Sequence, residues 1–531
     1  EHGRPPALPV RIAPELQQIV ARCLAKDASA RYASMRELAL ALRQAAQSWK
    51  ATTLAPLKKP RTASSSGSSR PRAIAVMPFA NATGDAELDY LSDGITETII
   101  HSLSSVASRL RVVARNTVFE YKNEPFTPQQ LARDLGVNAL VTGRVQRLGT
   151  TLVVSVDLVN AKNGTQLWGE RFRCPFADLF AVQDEIATKI SDQLKLRLTM
   201  NERQRLVRRP TLRTEAYEPY LKGRYHLNKR STEDVQRAVQ QFEQAIEIDE
   251  NYAQAWSGLA DCYALLSSRA LLPPDVGYAR VESAARRAIE LDPDLGEPYA
   301  ALGFHEMFYR WNWAEAERAL RRAIELQPTY ATAHHWYSIL LAWLERWDDA
   351  MREVRTALEL EPLSLTIRLN YAGALYVTGR LDEAADQCRK VLELEPRLFP
   401  AHLTLCWIHL SRRLYEDVIA EMNTILGEGE HYPEIYAMLG HAYAKMGDVE
   451  SANEMLQQLE EMQHDEHISP SNFVEIYVGL GDFDRALPQL EAFFRGRGEV
   501  GHMLLTDRFA PLRADPRFCE MLARVGFPKR P

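Results

Sequence analysis

The sequence predicts a multidomain chain: a small α/β domain, then an all-α superhelix of stacked helix pairs (an α-solenoid), with a short helical tail at the N-terminus. Three observations predict it. Pro293, Pro328, Pro362 and Pro396 recur at spacings of 35, 34 and 34 residues, and a fixed period near 34 marks a stacked helical repeat. Residues 73–198 carry short β-rich runs separated by turns and interleaved with helical stretches, the pattern of a mixed α/β layer. Residues 14–42 hold two amphipathic helical patterns ahead of a Ser-rich basic stretch.

Length and composition bound the answer. A chain of 531 residues is too long for one core, so two to four domains are expected. No apolar run is long enough to span a bilayer and no signal peptide opens the chain, which predicts a cytoplasmic protein. The first residue is Glu1, and the chain reads as part of a longer protein. Cys23, Cys174, Cys262, Cys388, Cys406 and Cys519 lie far apart with no CxxC pair, as expected of reduced thiols rather than disulfides or zinc. Net charge is −6, but residues 1–72 hold 13 Lys and Arg against 4 Asp and Glu, a local +9. No aromatic residues interleave the charges of the linker, so a solvated helix face and a basic spacer are expected there, and no nucleic-acid partner.

In the tail (1–50), Pro14-Glu-Leu-Gln-Gln-Ile-Val-Ala-Arg-Cys-Leu-Ala-Lys-Asp27 opens with proline and carries an apolar stripe of Leu16, Ile19, Val20, Cys23 and Leu24. Arg31-Tyr32, an N-capping Ser34 and a second helix through Leu38 and Leu42 follow. This order resembles the last helices of a bacterial Ser/Thr protein kinase catalytic domain. The resemblance implies that Arg31 is structural, forming a buried ion pair with a glutamate that this chain does not contain. The Gly-rich phosphate loop, the Val-Ala-x-Lys strand, the His-Arg-Asp loop and the Asp-Phe-Gly motif are missing from the sequence. Gly481-Asp482-Phe483 falls at a turn between repeat helices, where Gly-Asp is ordinary. Phosphoryl transfer needs a metal-holding carboxylate, a phosphate-pairing lysine and a base. No catalytic residue is therefore assigned, and enzyme activity is expected of a parent kinase rather than of this chain. Residues 51–72, with Lys58-Lys59-Pro60-Arg61 and a serine run from Ser64 to Ser69, bury nothing and read as a flexible linker.

Within 73–198, Ala73–Phe79 reads as a buried strand closed by the turn Asn81–Gly84, with a helix from Ile95 to Leu103 and a second strand over Leu110–Ala114. Thr127 or Pro128 starts a helix that ends at Gly136. Three β-runs follow, 139–147, 151–160 and 165–172, joined by Gly149-Thr150 and Lys162-Asn163-Gly164, and a helix runs over 178–198. Phrases such as "IAVMPFAN", "YLSDGITE" and "LVNAKNGTQLWGERF" make the segment similar to the TolB amino-terminal-like α/β domain that precedes helical repeats in bacterial kinases, adenylate cyclases and transcription regulators. No chemistry follows from that resemblance. Asp85, Glu87, Asp89, Asp93 and Glu97 suit a helix start rather than a metal. Gly84 and Gly94 do not make a dinucleotide loop, and Trp168 is expected in the core.

Residues 199–531 divide into about eight helix pairs with a terminal cap from Leu505 to Phe527. Small residues recur in phase: Gly303, Ser338, Ala372 and Cys406 stand ten after the prolines, and Ala316, Ala350 and Ala384 twelve before. With Trp256-Ser-Gly-Leu-Ala-Asp-Cys-Tyr263, Ala288 and Pro293, the array resembles the tetratricopeptide repeat (TPR). The second pair carries an insertion around Leu271–Asp275, and the third has one extra residue near Trp311-Asn-Trp313. In this family the first helix of each pair lines a concave groove that binds proteins. Carried onto this sequence, the groove residues are Phe304, Phe308, His335, Ile339, Trp343, Tyr376 and Trp407. They are apolar and aromatic, which implies an apolar or helical peptide partner; packing against an internal helix or between repeats is the alternative. His464, His467, His334 and His335 lack a third ligand nearby in sequence, so no metal and no cofactor site is assigned. The sequence leaves the oligomeric state open. The function expected is a protein-interaction and regulatory module of a Ser/Thr kinase, the alternative being the equivalent module of an adenylate cyclase or transcription regulator.

Overall fold

A computed structural model describes residues 73–106, 110–122, 124–194, 211, 213–269, 271–464, 468–496 and 507–526. The kinase-like tail with Arg31, the linker 51–72, and His467 lie outside the described residues.

The α/β domain is built on one sheet. Strand β1 (Ala73–Val76) lies between β3 (Arg111–Val112) and β4 (Ala139–Leu148), parallel to both. All four β1 side chains are buried, as a central parallel strand covered on both faces requires. Strands β4, β5 (Thr151–Asn160) and β6 (Gln166–Pro175) form an antiparallel meander, and the two-residue β2 (Ala80–Asn81) pairs with β4. Leu152, Val154, Val156 and Leu158 all point into the core. The helices are α1 (Asp89–Val106), α2 (Arg115–Phe119), α3 (Pro128–Asp134) and α4 (Leu179–Gln193). The Thr127 side chain accepts from Gln130 N and caps α3, with Pro128 in its first turn. The strand expected over 110–114 is confined to Arg111–Val112, because the chain turns at Ala114 into α2.

Eight helix pairs follow among the described residues: α5 (Tyr217–Lys229) with α6 (Thr232–Ile248), α7 (Ala253–Ser268) with α8 (Pro274–Leu291), α9 (Glu297–His305) with α10 (Trp313–Leu326), and α11 (Ala331–Trp343) with α12 (Trp347–Leu360). The second half is α13 (Leu365–Val377) with α14 (Leu381–Leu394), α15 (Phe399–Ser411) with α16 (Tyr415–Gly427), α17 (Pro433–Met446) with α18 (Val449–Met462), and α19 (Pro470–Leu480) with α20 (Phe483–Arg495). A 3₁₀ turn (Asp507–Ala514) and α21 (Pro516–Arg524) close the described array. The in-phase small residues do what close helix crossing demands. Gly303, Ser338, Ala372 and Cys406 are buried, as are Ala316, Ala350 and Ala384. A Cβ at Gly303 would stand 2.6 Å from Leu320 Cγ, so no larger residue fits without moving α10.

A second in-phase position has a polar role. Each proline leaves a carbonyl at the end of a repeat, and the residue six later reaches back to it. Tyr299 Oη donates to Pro293 O at 3.2 Å, His334 Nε2 to Pro328 O at 3.0 Å, Arg368 Nη2 to Pro362 O at 2.7 Å and His402 Nε2 to Pro396 O at 2.8 Å. Three of these residues also hold the second helix of their own pair: His334 by Glu353, Arg368 by Gln387 and His402 by Glu421. Side chains thus satisfy the carbonyls of the turn just past each helix end.

The extra residue of the third pair appears as a π-helical turn, Glu306–Arg310, followed by Trp311 at φ 56°. One inserted residue widens a single turn rather than shifting the whole phase. The cap folds back onto the array. Trp313 Nε1 donates to Val525 O at 3.1 Å, 212 positions away, and the Trp311 ring meets Phe494 edge-on at 6.0 Å. Phe509 and Leu512, both buried, pack with Phe473, Ile476 and Phe494, and the 3₁₀ turn also touches α15.

Candidate functional site: the concave groove and the chamber at its entrance

Helix α9 with the π turn after it, and helices α11, α13 and α15, present the groove residues, and the structure divides them. Phe304, Phe308, Trp343 and Tyr376 are buried, at 4, 6, 8 and 7% exposure. Phe304 packs on Phe308 (4.5 Å between centroids) and on Trp336 (4.8 Å), and Trp343 stands edge-on to Phe308 (5.1 Å) and Trp313 (6.0 Å). The Tyr376 hydroxyl lies 2.9 Å from Ser411 Oγ of the next pair. These four are therefore core rather than contact surface. Long aromatic side chains on successive first helices reach the neighbouring repeat and cover one another, and the same region receives Val525 of the cap through Trp313 and Phe494 of α20 through Trp311. His335, Ile339 and Trp407 are only half-buried. With Leu369 and Leu403, also half-buried, they leave an apolar lining across pairs four to six. At Gly373 an added Cβ would meet nothing within 4 Å, so the groove is open there.

At the other end, the α/β domain docks on the first pair. Gly94 of α1 lies so close to α5 that a Cβ would stand 2.6 Å from Leu221 Cδ2. Tyr90 Oη donates to Glu218 (2.8 Å), and Tyr217 Oη to Gln183 Oε1 (2.8 Å), while the Tyr217 ring also packs on Phe180 (3.9 Å). A buried ion network ties the two parts: Glu97 accepts from Arg224 Nε at 2.6 Å, Asn228 Nδ2 at 2.9 Å and Arg115 Nε at 3.0 Å. Burial works to raise the Glu97 pKa, yet the Arg224 and Arg115 guanidiniums hold it below the usual carboxylate value. The domain also reaches further along the array, through Asn116 Nδ2 to Glu361 Oε2 (2.9 Å) and Thr117 Oγ1 to Leu360 O (3.3 Å).

Between these contacts lies a chamber of about 320 Å³. Seven carboxyl groups (Glu97, Asp184, Asp261, Asp292, Asp294, Glu297, Glu361) and three guanidiniums (Arg115, Arg224, Arg230) line it. Its excess of carboxylates suits a cationic group. Asp261 Oδ1 and Gln254 Oε1 are buried there with no hydrogen-bond partner. Burial pushes the Asp261 carboxyl up to about 7, with Arg224 pulling the other way. His335 has its imidazole pushed down to about 4 by burial and by Arg230. Sequence reasoning missed the chamber because its walls come from distant segments, from Gly94 to Glu361. It did pick out the Asp85–Glu97 cluster, and the structure uses much of it for ion pairing: Asp93 with Lys122 at 2.7 Å and Glu97 with two arginines.

The helical repeat spacing agrees with the comparisons. Residues 340–400 and 433–465 match tetratricopeptide-repeat families, so the helical part is a TPR array, a module that serves protein–protein interaction. Residues 70–189 match the family described as HilA/YgeH-like transcriptional regulator, second domain. That name differs from the TolB-like resemblance drawn from the sequence. A Rhizobium meliloti (strain 1021) protein named "Putative adenylate cyclase 3" is 35% identical over 187 residues, 35% of this chain and 32% of its own. The chain thus matches about a third of that relative's length. Similar solved structures include the human IFIT1 dimer with PPP-AAAA (14% identity, 60% of this chain and 81% of that one, TM-score 0.40). They also include the TPR protein TTC0263 of Thermus thermophilus (22%, 37% and 99%, 0.31) and pilF of Pseudomonas aeruginosa (16%, 42% and 96%, 0.32). Among the described residues no helix is long and apolar enough to cross a membrane.

Proposed function

We propose that the chain is the partner-binding, regulatory part of a bacterial Ser/Thr protein kinase. The lining His335, Ile339, Leu369, Leu403 and Trp407 takes up an apolar or helical segment of a protein partner. The observation that carries this reading is the half-buried apolar strip across pairs four to six, opening at Gly373, on an array whose repeat type serves protein interaction. The kinase context rests on the Pro14–Leu42 pattern. Tethering a catalytic domain to such a groove raises the effective concentration of a bound substrate or regulator. Capture from a bacterial lysate tests the reading, with the intact chain beside an Ile339→Asp/Trp407→Ala variant of matched circular dichroism. A protein retained by the first and lost by the second supports the groove; equal retention, or none by either, removes it. A second reading, the same module joined to a nucleotide cyclase, is favoured by the Rhizobium relative. Assaying the longer natural protein for phosphotransfer and for cyclic AMP separates the two.

A further inference from the structure

The π-helical turn of the third pair creates a side-chain cluster apart from the groove and the chamber. His305 closes α9, Glu306 begins the widened turn, and Glu282 faces them from α8. His305 is 1% exposed and Glu306 5% exposed. Neither ring nitrogen of His305 has a hydrogen-bond partner, although the Tyr278 backbone is near enough to act on the ring. Its Nε2 points at Glu282 Oε2 from 3.4 Å. An imidazole buried without a well-formed hydrogen bond is costly, and inserted π turns recur at functional sites.

The geometry points to a divalent transition-metal site of the Zn²⁺ type, held by Glu282, His305 and Glu306. One ligand atom from each residue lies within 4.8 Å of the others. Two ligands of a tetrahedral Zn²⁺, each at about 2.1 Å, stand about 3.4 Å apart, so the side chains close the set by moving inward by up to about 1.4 Å. Imidazole and carboxylate are both zinc ligands, and three protein ligands would leave a fourth position open. Imidazole disfavours Mg²⁺ and Ca²⁺, which take oxygen ligands. Arg286 holds Glu282 through Oε1 at 3.0 Å, leaving Oε2 for the ion and fixing the carboxylate's orientation. The Tyr278 backbone beside the ring is the kind of partner that a metal-bound imidazole uses for its second nitrogen. Glu282 is a quarter exposed and gives the ion a way in. Bound there, it would pin α8 to α9, the second pair to the third.

The test uses the intact chain, stripped with a chelator and titrated calorimetrically with ZnCl₂ and with MgCl₂. CoCl₂ substitution gives a visible spectrum that reads coordination directly. The expected result is one Zn²⁺ per chain at this site, no Mg²⁺ binding, and affinity weakened at least about tenfold in Glu282→Gln and His305→Gln. Should His305→Gln fail to fold, Glu282→Gln on the partly exposed rim carries the test alone. His402→Gln, altering a histidine–glutamate pair elsewhere, is expected to leave the binding unchanged. No Zn²⁺ uptake by the unmodified chain, or equal uptake by Glu282→Gln, overturns the assignment.

Discussion

Removing the charge of Glu97 should loosen the α/β domain from the array. Glu97 accepts three hydrogen bonds, two of them from guanidiniums, and its side chain is 16% exposed, with Arg115 at 15% and Arg224 at 24%. Two charge-assisted bonds contribute about 1.5–3 kcal/mol each. Truncating one member of a buried ion cluster costs about 3–5 kcal/mol, because the partners are left charged and unpaired. Glu97→Gln keeps the shape, loses the charge and turns an amide group toward two arginines. The expected outcome is a loss of about 3–5 kcal/mol of unfolding free energy in urea, followed by circular dichroism. Transitions for the domain and the array should also separate. A double-mutant cycle with Arg224→Met isolates the pair, since the two are in contact and must couple. A cost below about 1 kcal/mol, or additive effects of the two changes, would refute the claim that this network joins the two parts.

Three further outcomes are expected. The Asp261 carboxyl is displaced from 3.8 to about 7 in the folded chain, so the folded state binds its proton more tightly than the unfolded state. Its contribution to stability falls as pH rises from about 4 to 7, and Asp261→Asn should flatten that slope and raise stability at pH 8 by up to about 4 kcal/mol, read from urea midpoints across pH. His402 is likewise lifted, by the Glu421 carboxylate, to a pKa above 6.5, so that stabilisation is complete below 6.5 and disappears as pH rises through the raised value. Glu421→Gln should abolish this component in melting temperatures recorded from about pH 6 to 9. Trp313→Phe removes the bond to Val525 O, and should cost about 1 kcal/mol while speeding hydrogen exchange in residues 516–524.

Much of the array was legible because its signals are local and periodic. Proline just past an apolar helical pattern marks the helix end, and a crossing admits only a small residue, so Pro328, Ala350 and Ser338 announced their own places. The α/β domain declared its strands by alternation and its turns by glycine, as at Gly136 and Gly164, both at positive φ. What was not legible depends on where the superhelix brings distant segments. The family phase put Phe304 and Trp343 toward the groove, and nothing in their own repeats tells that neighbouring aromatics and the returning cap enclose them. Arg115 follows directly on a strand-like run, and nothing local shows that it shares Glu97 with Arg224, a residue from the first helix of the array. The extra residue near Trp311 was visible as a spacing of 35 instead of 34. That it is absorbed as a π turn, carrying His305 and Glu306 against Glu282, required the backbone.

The proposed partner site is the open part of the concave face, across pairs four to six. Photo-crosslinking tests it most directly. A photoreactive residue at Gly373, where the structure leaves room for a side chain, is compared with one at Arg318, whose side chain is 73% exposed on the second helix of its pair. Both are irradiated in bacterial lysate with the intact chain. A discrete protein adduct is expected from position 373, lost on adding Trp407→Ala, with none from position 318. Equal adducts from both positions, or an adduct from 318 alone, would contradict it.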